Sequence, residues 1–137
     1  MPIEVRWLNQ NKRFLLLHFV DGGIESWQEY DDAITQAWSM AKTVEHPIVS
    51  ILVAYDTPMP FGSPLPHIER AIARFPNNIL FGISIVESSF ETLMLDMVAQ
   101  LDLEKRLYTV SSWDGVNKLL ASKNLPLVPL EDVPPHK

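Results

Sequence analysis

The groups in this sequence that could do chemistry are hydroxyls, a carboxylate after an apolar run, and four histidines; there is no cysteine. Lack of Cys removes disulfide frameworks, thiolate zinc sites and cysteine nucleophiles together. His18, His46, His67 and His136 are scattered, and no two have the i, i+4 spacing that sets a pair of imidazoles on one helix face, so no metal site is expected. His67 has the most chemical setting, because its helix begins beside a proline-rich loop. No Gly-x-Ser-x-Gly elbow, Walker loop or Gly-x-Gly-x-x-Gly fingerprint occurs, and Asp21-Gly22-Gly23 reads as a strand-to-helix turn that needs positive φ. No catalytic constellation is complete. The expectation is a domain that binds rather than catalyses, with no catalytic residue and no cofactor.

The hydroxyls fall where helices should start. Ser26, Ser63, Ser88, Ser89, Ser111 and Ser112 all precede apolar-periodic segments, and N-capping explains each at about 1 kcal/mol. In an open parallel sheet, Ser63, Ser88 and Ser111 would also share the rim beyond the carboxyl ends of the strands, where ligands bind and free helix N–H groups can hold an anion. Asp56 and Thr57 follow the central strand at the same rim. A carboxylate there is either a phosphoacceptor or catalytic group, or a turn former bonding the next loop residues. Asp56, Thr57, Ser63, Ser88 and Ser111 are therefore the candidate ligand- or partner-binding residues. A phosphorelay receiver is a poor fit, since only Asp21 supplies a further early carboxylate and no Lys stands near a late strand.

The elements that must position these groups are legible from periodicity. Val5 and Trp7, then Phe14 to Val20, read as two strands joined through Asn9-Gln10-Asn11-Lys12. Ser26-Trp27-Gln28-Glu29 has the form of a capping box. Beyond it, Trp27, Tyr30, Ala33, Ile34, Ala37, Trp38, Met40, Ala41 and Val44 fall in an arc about 160° wide, with Gln28, Asp31, Asp32, Thr35, Ser39 and Lys42 opposite. Ile48 to Tyr55 is an unbroken apolar run, as expected of a central strand covered on both faces. Asp56 to Pro66 holds four prolines and Gly62 and should be an irregular loop before a short helix reaching Phe75, with Ile68, Ala71, Ile72 and Phe75 inward. Pro76-Asn77-Asn78 is a turn and Ile79 to Val86 a strand. Ser88-Ser89-Phe90-Glu91 opens a helix to about Leu103, Leu107 to Val110 is a short strand, and Ser111-Ser112-Trp113-Asp114 caps a helix to about Lys123. The order β-β-α-β-α-β-α-β-α implies a single α/β domain over residues 1–124, with a mostly parallel mixed sheet, the first strand at an edge and helices packed on it. Residues 125–137, with four prolines, form a tail laid over the surface or frayed.

That element order, the helix after a Gly-containing turn and the hydroxyl-bearing loop after the central strand resemble the STAS-like domains of anti-sigma-factor antagonists across residues 1–124. In that family the loop carries Asp, a phosphorylatable Ser and then Gly. Asp56-Thr57 matches the acid and the hydroxyl, but Pro58 stands in place of Gly and the loop continues to Ser63-Pro64. The resemblance implies a non-enzymatic protein-interaction or regulatory module. The alternative is a small-molecule or anion binder using the rim.

Charge and length bound the partners. Seventeen acidic against eleven basic residues give a net charge of −6 over 137 residues, and the cations are scattered, which disfavours nucleic acid. No leader and no apolar run of spanning length is read, so a cytoplasmic protein without a membrane partner is expected. The segment 90–101 has an apolar arc of about 200°, extended by Met94, Leu95 and Val98, which exceeds what one sheet face can cover. These three residues are the candidate interface of a homodimer or protein partner, unless the tail folds over them.

Overall fold

The computed structural model describes residues 3–20, 26–54, 65–86 and 106–134. Within it, the apolar run after Pro47 becomes strand β3 (Ile48–Ala54), buried at every position but Leu52, which is half-buried. Such a strand must be covered on both faces, and it sits at the centre of a five-stranded sheet ordered β1-β2-β3-β4-β5. β1 (Ile3–Trp7) lies at one edge and pairs antiparallel with β2 (Phe14–Phe19). From β2 onward the neighbours β3, β4 (Ile79–Val86) and β5 (Leu107–Val110) are all parallel. The fold is a single α/β domain with a mixed, mostly parallel sheet and, among the described residues, three helices.

The β1–β2 hairpin is set by its polar turn. Asn9 accepts the Asn11 N–H on its side-chain oxygen at 3.0 Å and the Lys12 N–H on its carbonyl at 3.2 Å. Lys12 itself takes the left-handed conformation, φ 53°.

Helix α1 (Trp27–Ala41) buries Trp27, Tyr30, Ala33, Ile34, Ala37, Trp38 and Ala41, the apolar arc of the sequence. Ser26 has the extended backbone of an N-cap, φ −147° and ψ 156°, yet its side chain makes no capping bond. Here the capping-box expectation fails, because the Ser26 carbonyl already accepts the Glu29 N–H at 3.2 Å. Helix α2 (Leu65–Ala73) stops two residues short of Phe75, since a residue preceding proline is driven out of the helical region. Phe75 still packs inward, edge-on to Trp38 at 5.2 Å. The two helices are joined by a buried hydrogen bond from Trp38 Nε1 to the Ala71 carbonyl, 3.0 Å, and by Arg74 donating to Thr35 Oγ1, 2.9 Å. Both cover the sheet face that presents Leu15, Leu17, Phe19 and Ala54.

The opposite face presents Leu16, Val49, Ile51, Val53, Ile83 and Ile85, and helix α3 (Trp113–Ser122) packs there through Val116 and Leu120. Ser112 caps α3 by accepting the Gly115 N–H at 3.2 Å. The helix ends in a Schellman motif: Asn124 is left-handed at φ 58°, its N–H bonds the Ala121 carbonyl and that of Leu125 bonds the Leu120 carbonyl. The following segment lies along the same layer. Val128 is buried in the same cluster as Leu8, Phe14 and Leu16, and Asn117 grips its backbone, donating to the carbonyl at 3.2 Å and accepting the N–H at 2.8 Å. No helix among the described residues is long and apolar enough to cross a membrane.

A chain ending at Asn124 loses Val128 and both bonds to Asn117. It is expected to be less stable by about 2–4 kcal/mol in urea unfolding, from the buried side chain and the two hydrogen bonds together; an unchanged midpoint would show that the segment contributes nothing.

Candidate functional site

Most of the rim residues singled out in the sequence, Asp56, Thr57, Ser63 and Ser88, and the candidate interface of Met94, Leu95 and Val98, lie outside the described residues. Tyr55 at the end of the central run lies outside them as well. The rim itself is in register: Val53 is level with His18 on β2 and Ile85 on β4, and Ile85 with Val110 on β5. Ser111 is exposed there, one residue beyond β5. It does not cap the following helix; that position belongs to Ser112, whose hydroxyl is committed to Gly115.

The site that the described residues do build lies deeper, between the sheet and the two helices on its first face. Ladder register puts Ser50 level with Gly82 and Leu107, and Leu52 level with Ser84 and Thr109. Side chains alternate faces along a strand, so Ser50, Gly82 and Ser84 all present small groups toward α1 and α2. Where larger side chains would have met the helices there is instead a cavity of about 70 Å³. Trp27, Tyr30, Ile34 and Trp38 wall it from α1, Ile68, Ala71 and Ile72 from α2, and Phe75 just beyond α2, with Ser50, Ser84 and Gly82 on the floor. One water needs about 10–15 Å³ on this measure, so the space accommodates several waters or a small organic molecule. No charged residue is among the described residues that line it.

Among the described residues, several polar groups in this region have no partner. Ser50 and Ser84 are 6% and 4% exposed, and neither hydroxyl is tied to another described residue. Thr109 Oγ1, beside Ser84, and Trp27 Nε1 are buried without a hydrogen-bond partner among the described residues. Buried polar groups are nearly always satisfied. Trp38, the neighbouring indole, is satisfied by Ala71. Tyr30 is buried as well; burial first, and the Asp31 charge second, raise its phenol well above the ordinary value, so it stays neutral.

At the outer edge of the cavity wall, Trp27 stacks on His67 with ring centroids 5.0 Å apart and planes 13° from parallel. His67 Nδ1 is 2.8 Å from an Arg70 nitrogen and 3.2 Å from Asp31 Oδ2, which Arg70 also reaches at 3.2 Å. Nδ1 thus faces a donor, Arg70, and an acceptor, Asp31, at the same time. The cluster joins α1 to α2 and holds Trp27 flat against the outer helix. It is a positioning device, and among the described residues no three His, Asp or Glu side chains converge as metal ligands would.

Sequence reasoning singled out His67 without its partners. Asp31 read only as one of the polar residues opposite the apolar arc, and Ser50 and Ser84 as interruptions in apolar strands. Their juxtaposition comes from strand register and helix docking, for which a linear pattern carries no signal. No family model, curated protein or solved structure matches the chain.

His67→Ala removes the stack on Trp27 and the bridge to Asp31, and a loss of about 1 kcal/mol in urea unfolding is expected, with His67→Phe recovering the stacking share. Equal losses for the two variants would assign no role to the stack. For Tyr30 the raised value fixes the sign: its contribution is complete below the ordinary tyrosine pKa of about 10 and is lost as pH rises above it. Stability measured from pH ~9 to ~11.5 should therefore fall more steeply for the natural chain than for Tyr30→Phe; parallel curves would refute the assignment.

Proposed function

We propose that this domain is a non-catalytic binding module that takes a small, mostly apolar molecule between helices α1 and α2 and the sheet. The observation that carries this reading is the cavity. Its described walls are aromatic and aliphatic and carry no charge, its floor is kept open by Ser50, Gly82 and Ser84, and it lies in the layer that α1 and α2 close. Concave, mainly apolar sites with a few convergent polar groups are the usual form of a small-molecule site. Catalysis would require a base beside a bound group, and the described lining holds no histidine, carboxylate or lysine.

A second reading, a protein-interaction module of STAS-like fold, is favoured by the β-β-α-β-α-β order and by the parallel strands β2 to β5 ending at one rim. On that reading the loop with Asp56, Thr57 and Ser63 meets the partner, and Ser88 and Ser111 flank it.

Filling the cavity separates the two. Ala54 is 3% exposed and lines the space. Ala54→Leu is expected to change stability by less than about 1 kcal/mol, against the 1–3 kcal/mol that overpacking a filled core costs. The natural chain should gain thermal stability in a screen of neutral apolar fragments, and Ala54→Leu should not. A natural chain that no fragment stabilises would sink the pocket reading in favour of the interaction module.

A further inference from the structure

We propose that the ligand of this pocket is electrically neutral and carries one hydroxyl or carbonyl group part-way along an apolar body, held by the hydroxyls of Ser50 and Ser84. The proposal rests on the binding reading above and adds the chemistry of the occupant.

Neutrality follows from the lining. Taking a carboxylate or ammonium out of water is costly unless a counter-charge or several hydrogen bonds meet it, and the described lining offers no charge. Of the ionic groups around it, Arg106 is engaged by the Ile72 carbonyl at 3.0 Å and the face of the Phe75 ring, and Asp31 and Arg70 lie 3.2 Å apart as a pair.

A polar group within the ligand follows from the floor. A hydroxyl left without a partner in a strand interior costs about as much as a hydrogen bond gains, and alanine or valine would serve better at a purely structural position. Here two such serines lie on neighbouring strands as diagonal neighbours, since Ser50 pairs with Gly82 and Ser84 with Leu52. Diagonal cross-strand positions are about 7–8 Å apart at the backbone, so a ligand lying along the floor passes both hydroxyls. Gly82 leaves the Ser50 hydroxyl unobstructed on the floor: a Cβ there would stand 3.2 Å from Ser50 Oγ and 3.5 Å from Leu107 and the Phe75 ring, which already pack over it. Thr109, level with Ser84, adds a further buried hydroxyl without a partner among the described residues. Water could satisfy the serines together with Thr109 Oγ1 and Trp27 Nε1, but a buried water needs two to four polar partners, and most of the described lining is carbon. An oxygen at the floor with carbon around it fits both halves of the lining.

The test uses four probes of nearly equal size, ethylbenzene, benzyl alcohol, acetophenone and benzoate, titrated by calorimetry into the full chain and into Ser50→Ala/Ser84→Ala. The expected result is that the double variant binds benzyl alcohol and acetophenone about tenfold more weakly while ethylbenzene is unchanged or tighter, and that benzoate binds neither protein. Should the double variant fail to fold, Ser84→Ala alone gives the same comparison. Equal changes for the alcohol and the hydrocarbon, or benzoate binding as tightly as acetophenone, would overturn the proposal while leaving the pocket reading intact. Failure of all four probes to bind the natural chain would overturn both.

Discussion

Strand β3 presents apolar side chains to both faces of the sheet, and it is hydrogen-bonded on both edges. Ile51 and Val53 are completely buried on one side, Ile48 and Ala54 nearly so on the other. A strand of this kind is stable only if a layer of helix covers each face and a strand flanks each edge. The rest of the chain meets that demand. β2 and β4 supply the edges, α1 and α2 cover one face, and α3 with the segment through Val128 covers the other. Because the sheet is shared, each layer is braced against the other through it.

The two faces are filled differently. On the α3 side, branched residues from β2, β3 and β4 meet Val116 and Leu120, whose relative exposure is 0%. On the α1–α2 side, bulky side chains of β2 give way toward β4 to Ser50, Gly82 and Ser84, and the helices bring aromatic rings rather than short aliphatics to the gap. Rings bridge between helix and sheet without filling the space beneath them. The ties between α1 and α2, Trp38 to Ala71 and Asp31 to His67 and Arg70, hold the roof in place independently of the floor. A cavity is thus built into the layer that these polar contacts keep rigid, rather than left by poor packing.

The order of elements, the central place of β3, the helical arc from Trp27 to Ala41 and the turns at Asn9-Lys12 and Pro76-Asn78 were legible in the sequence because each depends on local periodicity or on a residue with a restricted backbone. The end of α2 was not: the apolar pattern carries it to Phe75, and the helix stops at Ala73. Ser26 shows the limit of motif reading: residue types and spacing suited a capping box, but the backbone carbonyl took the N–H first. The cavity was not legible at all. Ser50 and Ser84 are 34 positions apart, and only the register that sets Leu52 beside Ser84 brings them to one floor. The same holds for Asp31 and His67, which meet because α1 and α2 dock side by side in one layer over the sheet.

The contact between the last described segment and the first strands bears on how the chain is made. Val128 is buried in one cluster with Leu8, Phe14 and Leu16, and Arg6 donates to the Asp132 carbonyl at 3.4 Å. These groups belong to the β1–β2 hairpin, yet their cover is encoded more than a hundred residues later. At synthesis rates of about 5–20 residues per second, the outer apolar surface of that hairpin stays open to water for several seconds. Until the segment through Val128 has been made, the α3 face of the sheet lacks part of its cover.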